Sequence, residues 1–343
     1  IFLPLKKLSL TIIDEEGENI FKQNRKQPKY NARDVSIIFS KINKSKVLLG
    51  SNTPSLETYY NSINNNFGLI KYDYNYKNVK KPEITIINTL EKKIKKKMKG
   101  NFSDTLIKEI KNTLKNKKQV IIYNSKKNEL EDLKDELLVI FPNVELEIIH
   151  YDLSIKKIRE VLKKIKNNLI QIIVGNQIIN KIFSFKKVSL VGIINTEKML
   201  NIPNFRSTEK TFQIIHQITN GNIFRDSKSG KVIIQTLNPN VEIYNSLKNY
   251  HVTKFYKTEL NERKKFNYPP FSRLIKIEFN NKLKNLAEIE AKNFYKKINN
   301  FTDKNNILGP TESKIYKPMI YLKVNKEVRE INRIKNSIKT ILK

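Results

Sequence analysis

The amino-acid sequence predicts an α/β fold with parallel β-sheets, followed by a small C-terminal α+β domain. Short apolar runs of the kind found in buried parallel strands lie at 119–124, 169–174, 188–194 and 231–236. Helical patterns alternate with these runs; one is the stripe of Leu106, Ile110 and Leu114, for which Ser103 is a candidate N-cap. Strands that alternate with helices form parallel sheets. From about residue 237 the pattern changes, and strands with every second residue apolar alternate with two further helices.

An apolar run near the N-terminus ends abruptly in acids. Residues 8–13 read LSLTII, and Asp14, Glu15 and Glu16 follow. In open α/β sheets, chemistry collects just beyond the carboxyl ends of the strands. One carboxylate there can hold Mg²⁺ while its neighbour orients or deprotonates a water molecule. A strand that simply runs into a solvated acidic turn is the alternative.

A second apolar run ends in hydroxyl side chains. Residues 47–50 read VLLG, and Ser51-Asn52-Thr53-Pro54-Ser55 follow. The two runs lie about one βαβ unit apart, so their ends would meet at one sheet edge. Acids and hydroxyls at that edge suit a site that senses a nucleotide.

Composition excludes several classes of protein. A chain of 343 residues is long enough for two or three domains. It has no apolar run near 18 residues and no signal-peptide layout, which makes the cytoplasm the default location and argues against a membrane partner. It has no cysteine, which excludes disulfides and cysteine-ligated zinc, and its three histidines are scattered singly.

The formal net charge of +33 comes from 66 basic and 33 acidic residues and implies affinity for polyanions. Lysine, asparagine and isoleucine are over-used together, as in an A/T-biased genome. The charge therefore supports nucleic-acid binding only weakly.

The two motifs resemble boxes of the PriA-type superfamily 2 DNA helicases, which restart stalled replication forks. The stretches concerned are 12–34 (IIDEEGENIFKQNRKQPKYNARD) and 47–58 (VLLGSNTPSLET). Further matches run in the family's order through 172–191, 205–217, 230–239, 259–279 and 308–310. The resemblance implies four segments: the back half of a first RecA-like lobe (1–81), a basic linker (82–102), a second RecA-like lobe (103–250) and a C-terminal α+β domain (251–343).

The resemblance also implies roles for individual residues. Asp14 would be the Mg²⁺ carboxylate and Glu15 the residue that activates water, with ATP and Mg²⁺ as cofactors. The residues that would couple nucleotide state to DNA are Glu16, Ser51, Thr53 and Gln217.

DNA, forked or single-stranded, is the implied partner. The candidates for phosphate contacts are Lys181, Arg206, Arg263, Lys265 and Arg273. A solvated basic turn is the alternative for each residue of the 263–273 group.

The chain departs from the family's nucleotide-binding pattern at several positions. The phosphate-cradling loop G-x-x-x-x-G-K-[ST] is absent from this sequence; its one Gly-Lys pair, at 230–231, is followed by Val232. Gly17 stands where the family has a histidine that links the acidic box to the second lobe. The two arginines expected near the γ-phosphate fall on Gly221 and Phe224, and neither can supply a guanidinium fork. Because the sequence begins on Ile1, we considered a fragment, a late start, and a gene whose first half is lost or separate.

Other stretches allow two interpretations. Tyr72, Tyr74 and Tyr76 could stack on bases, although a strand with one buried aromatic face is favoured. The basic run at 91–99 predicts a solvated linker or a surface that tracks DNA. The family's cysteine-rich zinc insertion, which would follow the strand at 119–124, is missing; we expect no zinc and no docking surface of that kind for other primosome proteins.

Two functional hypotheses follow. The chain is either a subunit of an ATP-dependent DNA helicase, completed by a separate N-terminal helicase polypeptide, or a non-catalytic DNA-binding remnant or scaffold of replication restart. In both cases we expect the chain alone to hydrolyse ATP slowly or not at all, because electrostatic stabilisation of phosphoryl transfer is missing.

Overall fold

The computed structural model describes residues 7–23, 28–71, 81–181, 187–220, 222–224, 230–281, 283–311 and 317–342. The chain divides into two compact units. The first comprises Ile1–Ser55 and Leu69–Phe255, and the second comprises Leu56–Gly68 and Tyr256–Lys343.

Strands and helices alternate along the described chain. The strands are β1 (Leu10–Asp14), β2 (Lys22–Gln23), β3 (Tyr30–Asn31), β4 (Lys46–Gly50), β5 (Glu83–Asn88), β6 (Met98–Lys99), β7 (Phe102–Ser103), β8 (Gln119–Tyr123), β9 (Leu146–Ile149), β10 (Ile172–Gly175), β11 (Val188–Ile193), β12 (Lys231–Thr236), β13 (Arg273–Glu278), β14 (Ile307–Leu308) and β15 (Met319–Val324). The helices are α1 (Ala32–Ile42), α2 (Leu56–Ile63), α3 (Thr89–Ile94), α4 (Asp104–Lys115), α5 (Leu130–Ile140), α6 (Ile155–Lys166), α7 (Glu197–Leu200), α8 (Ser207–Asn220), α9 (Glu242–Lys248), α10 (Val252–Lys265), α11 (Lys284–Ile298) and α12 (Val328–Leu342).

A six-stranded, fully parallel sheet forms the core of the first unit, in the order β5-β12-β11-β8-β10-β9. Two of its interior strands, β8 and β10, are buried at every position, because helices cover both faces of such sheets. The main core cluster includes Leu106, Ile122 and Val174. The four predicted strands and the predicted parallel α/β class are confirmed, and the Ser103 hydroxyl caps α4 by accepting a hydrogen bond from the Leu106 N–H.

The segment predicted as a basic linker, 82–102, differs from that expectation. It holds strand β5, which pairs in register with β12 at one edge of the six-stranded sheet, and the short helix α3. Ile84 and Ile87 are buried there. The lysine-rich run beside them obscured a strand of only six residues.

A second, two-stranded parallel sheet lies in the first unit. Strands β1 and β4 pair from Leu10↔Lys46 to Asp14↔Gly50, and helix α1 connects them as the predicted βαβ unit. Both strands therefore end at the same edge, immediately before the acidic and hydroxyl residues.

The second unit is built on an antiparallel sheet, β13-β15-β14. Helices α11 and α12 pack on one face through residues such as Ala291, Phe294 and Ile331, around Leu322 of the central strand. This confirms the predicted α+β architecture at the C-terminus. Helix α2, expected within the first lobe, belongs to this unit.

No helix in the described ranges has both the length and the apolar character needed to cross a membrane. The tyrosines at 72, 74 and 76 lie outside the described residues.

Candidate functional site at the acidic turn

Residues 14–17, here called the acidic turn, leave the carboxyl end of β1 beside the end of β4. The backbone of Glu15 is left-handed, with φ of +49°, a conformation that costs energy for a residue with a side chain. Its N–H donates to the Asp14 Oδ1 at 3.0 Å, and the Glu16 N–H donates to the Gly50 carbonyl at 3.2 Å. The turn is thus fixed to the edge of the β1–β4 sheet by its own backbone.

Glu15 is the half-buried acid of the turn. Its Oε2 accepts a hydrogen bond from the Ser51 hydroxyl at 3.0 Å, and the Gln217 side chain donates to the same carboxylate. Burial raises the pKa of the Glu15 carboxyl, with repulsion from Asp14 and Glu18 adding to the effect, whereas the two hydrogen bonds oppose it. A carboxylate whose pKa is raised by its surroundings is suited to accept a proton.

Glu16 is instead a structural acid. Its side chain is 1% exposed, and the Arg33 guanidinium of α1 donates to its Oε2 at 2.8 Å. The Ser55 N–H and hydroxyl also donate to it, at 2.5 and 3.1 Å. Glu16 therefore ties the acidic turn to residues 51–55, here called the hydroxyl segment.

Asp14 is the exposed acid. Among the described residues, no group of three or more His, Cys, Asp or Glu side chains could hold a metal ion. A self-contained metal cage is therefore not present in this part of the chain. A single exposed carboxylate nevertheless fits Mg²⁺, which keeps several waters and is commonly bound by one or two carboxylates together with substrate phosphates.

The hydroxyl segment contains a buried polar atom without a partner. The Ser51 hydroxyl accepts from the Thr53 N–H at 3.1 Å while it donates to Glu15. Thr53 is 2% exposed, and its Oγ1 has no hydrogen-bond partner among the described residues. Such an atom is a signal of a site that is completed by another group.

One face of helix α8 meets the acidic turn and the hydroxyl segment. The Lys210 ammonium donates to the Gly17 carbonyl at 2.5 Å, and the Gln213 amide donates to the Thr53 carbonyl at 3.0 Å. Gln217, two helical turns beyond Lys210, reaches Glu15. Sequence reasoning selected Gln217 alone for this role; the spacing of i, i+3 and i+7 is the signal that could have added the other two.

The six predicted residues of the acidic and nucleotide-coupling set therefore come together in the first unit. They are Asp14, Glu15, Glu16, Ser51, Thr53 and Gln217.

The five predicted DNA-contact residues do not form part of this cluster as far as their side chains are described. Lys181 ends a short 3-10 helix, and its side chain lies outside the described atoms. Arg206 is half-exposed, pairs with Glu209 at 3.3 Å and lies over the Phe205 ring. Lys265 and Arg273, in the second unit, are exposed.

Arg263 has a different environment from Arg206, Lys265 and Arg273. Its side chain is 2% exposed and is held by Glu259 at 3.3 Å, by Glu57 at 3.6 Å and by the Pro269 carbonyl at 3.2 Å. This is the environment of a residue that organises the second unit, so we leave Arg263 out of the DNA contacts proposed below.

Phe224, which stands at one of the two expected arginine positions, is a core residue. It is 2% exposed, and its ring lies against Gly230. Gly221 and Arg225 lie outside the described residues.

A six-stranded parallel sheet and a two-stranded parallel sheet that ends in an acidic turn place the chain in the α/β class, in which sites form at the carboxyl ends of strands. No family model matches the chain. It is 30% identical to the replication restart protein PriA of Rickettsia prowazekii, over 91% of this chain and 57% of that protein. It is 29% identical to PriA of Borreliella burgdorferi, over 99% and 61%, and 25% identical to PriA of Bacillus subtilis, over 92% and 47%. These relatives are all replication restart proteins named PriA, and the similarity to them extends over most of this chain. The chain spans about three fifths of the first two relatives.

Solved structures with similar coordinates include RecG bound to a three-way DNA junction and S. cerevisiae Dbp5 bound to RNA and ADP BeF3. The first has a TM-score of 0.45 at 14% identity and covers 74% of this chain and 30% of RecG. The second has a TM-score of 0.43 at 14% identity and covers 76% of this chain and 64% of Dbp5.

Proposed function

We propose that the chain carries the acidic half of the ATPase site of a replication restart DNA helicase, together with DNA-binding surfaces. The observation that supports this most directly is the Glu15 carboxylate, which accepts hydrogen bonds from both Ser51 and Gln217. Ser51 follows β4 and Gln217 lies on α8. A change in the position or charge of Glu15 would therefore alter its contacts with both the hydroxyl segment and α8. Glu15 would accept the proton of the attacking water, since its pKa is raised.

Asp14 would hold Mg²⁺ in this proposal, because it is the exposed carboxylate at the strand end. When bound, the ion would supply charge stabilisation to the transferring phosphoryl group. Glu16 holds the acidic turn and the hydroxyl segment together. Thr53, with its unpartnered hydroxyl, would sense the state of the site from the hydroxyl segment.

We further propose that residues 1–343 alone hydrolyse ATP slowly or not at all. The sequence contains no triphosphate-binding loop, and Phe224 is buried where a guanidinium would be needed. Loss of an arginine finger lowers the rate by about 10³-fold or more. Turnover would need a triphosphate-binding loop, which residues 1–343 do not contain.

DNA is the proposed macromolecular partner. The similarity to PriA replication restart proteins and the net charge of +33 support it. Arg206, Lys265 and Arg273 would contact phosphates because they are at least partly exposed; Lys181 stays a candidate from the sequence alone. The predicted cytoplasmic location also stays a prediction.

A second candidate is a non-catalytic DNA-binding scaffold of replication restart. The burial of Phe224 favours it, since no N-terminal polypeptide could restore a guanidinium at that position.

Turnover assays distinguish the two candidates. The chain is mixed with forked DNA, Mg²⁺ and ATP, with and without an N-terminal helicase polypeptide, and Glu15→Gln is the matched control. Hydrolysis that appears with the added polypeptide and disappears in Glu15→Gln supports the helicase subunit. Fork binding with no hydrolysis in either mixture supports the scaffold. Absence of any fork binding contradicts both.

A further inference from the structure

The carbonyl of Gly17 is the point where α8 reaches the acidic turn. Lys210 Nζ donates to this carbonyl at 2.5 Å and to Gln213 Oε1 at 2.9 Å. Hydrogen bonds from a charged donor are stronger than neutral ones. The main chain of the acidic turn is therefore held by an ammonium group from a helix that is remote in sequence.

Gln213 extends this contact to the hydroxyl segment. Its side chain is buried, and its Nε2 donates to the Thr53 carbonyl at 3.0 Å and to the Pro54 carbonyl at 3.3 Å. Its Oε1 accepts from Lys210 at the same time. The Gln213 amide thus binds the hydroxyl segment to α8 and also contacts Lys210, which binds the acidic turn, so both of its polar atoms are used.

Gly17 makes room for this arrangement. A Cβ at residue 17 would lie 3.4 Å from Gln213 Nε2 and 3.5 Å from the Ser55 nitrogen. A methyl group would just fit, whereas a larger side chain would have to displace Gln213 or grow away from it. Residue 17 therefore contributes its main-chain carbonyl, and no side chain, to the link between the acidic turn and α8.

The contacts of Lys210 have a cost in free energy, because they remove its ammonium group from water. Burial lowers the pKa of the Lys210 ammonium, although the carboxylates of Glu209, Glu18 and Glu16 oppose the shift. A lysine that served only to cover the surface would keep its ammonium in water.

We propose that Lys210 and Gln213 are positioning residues, which hold the acidic turn and the hydroxyl segment against α8 and thereby keep Glu15 within reach of both Ser51 and Gln217. The inference rests on the proposed function for the role of Glu15. The positioning itself can be tested on the full chain without DNA or nucleotide.

Hydrogen–deuterium exchange of backbone amides measures the positioning directly. In Lys210→Met, we expect exchange in peptides covering residues 14–18 and 51–55 to accelerate about tenfold or more, because a charge-assisted hydrogen bond is lost. Exchange in β8 and β11 should stay as in the parent chain. Gln213→Leu should accelerate the same peptides, and Lys210→Arg should restore most of the protection because it keeps a cationic donor.

The matched control is Lys198→Met, which removes a half-exposed ammonium elsewhere in the first unit, paired with Glu129 at 2.7 Å. It should leave both peptides unchanged. Unchanged exchange of these peptides in Lys210→Met and Gln213→Leu would overturn the proposal, as would equal acceleration in Lys198→Met. If Lys210→Met does not fold, Gln213→Leu and Lys210→Arg decide the result by the same criteria. Unchanged exchange would contradict the positioning role without bearing on the proposed function. Absence of ATP turnover would bear on the proposed function without bearing on the positioning role.

Discussion

At the scale of single residues, Glu16 and Arg33 form a buried ion pair on which the geometry of the site depends. Their side chains are 1% and 11% exposed. Removal of one partner from a buried pair leaves an uncompensated charge. We therefore expect Glu16→Ala to lower the free energy of unfolding of the first unit by about 3 kcal/mol, measured by urea denaturation.

Asp34→Ala is the control for this change, because Asp34 also pairs with Arg33, at 2.9 Å, but its side chain is 57% exposed. It should cost less than about 1 kcal/mol. Equal effects of the two substitutions would show that Glu16 is not the structural acid.

The buried side chain of His216 makes the stability of the first unit depend on pH. Burial, with the positive charge of Lys81, lowers the pKa of His216 to about 4. The folded state therefore takes up this proton at a lower pH than the unfolded state, in which the histidine titrates near pH 6.5. The contribution to stability is complete above about pH 6.5 and is lost as the pH falls through the window from about 6.5 to 4, by a total of about 3 kcal/mol.

His216→Phe, which keeps an aromatic ring against Phe212, should remove this part of the pH dependence. His251→Gln, at an exposed histidine, should leave it in place. Unfolding free energies at pH 7 and pH 5 measure both. If the unfolding free energy of His216→Phe changes with pH as in the parent chain, His216 is not the source of this pH dependence.

The sequence identified the three consecutive acids but not their different surroundings. Asp14 is exposed, Glu15 is half-buried and Glu16 is buried, because the chain turns after Asp14 and brings the later acids towards Arg33 and Gln217, which are distant in sequence. Periodicity along a strand does not reveal such partners. Lys210 was missed for the same reason.

At the level of secondary-structure elements, helix α10 ends in basic residues that differ in burial and in their ion pairs. Arg263 is buried between Glu57 and Glu259, whereas Lys265 is exposed. We expect Arg263→Met to destabilise the second unit by about 3 kcal/mol, because two carboxylates lose their partner. Lys265→Met should change stability by less than about 0.5 kcal/mol.

Thermal or urea unfolding that resolves the second unit checks this difference. If Arg263→Met is as stable as the parent chain but binds DNA more weakly, Arg263 contacts phosphate, as the sequence analysis predicted.

Elements were predictable where their apolar pattern was long or continuous. Strands β8, β10, β11 and β12 and helix α4 are examples. Strand β5 was missed because a lysine-rich run follows it, and β9 because its four residues include Glu147. The assignment of α2 to the second unit depends on tertiary contacts such as that between Tyr60 and Phe271, which no local pattern indicates.

At the scale of the whole molecule, the charge of +33 predicts DNA binding that depends steeply on salt. If six to ten phosphates are contacted, the affinity for linear duplex should fall by roughly 10³–10⁵ between about 50 and 200 mM salt. Fluorescence anisotropy with labelled linear and forked DNA measures this. Binding to forks that persists at the higher salt would show a surface that recognises branched DNA, and a shallow salt dependence on linear duplex would contradict the electrostatic account.

We propose that residues 1–343 provide the acids of an ATPase site but do not by themselves bind the triphosphate. Titration calorimetry of the isolated chain with ATP and Mg²⁺ tests it most directly. We expect no saturable binding up to millimolar nucleotide, in the parent chain or in Asp14→Asn. Saturable, tight binding that Asp14→Asn abolishes would contradict it.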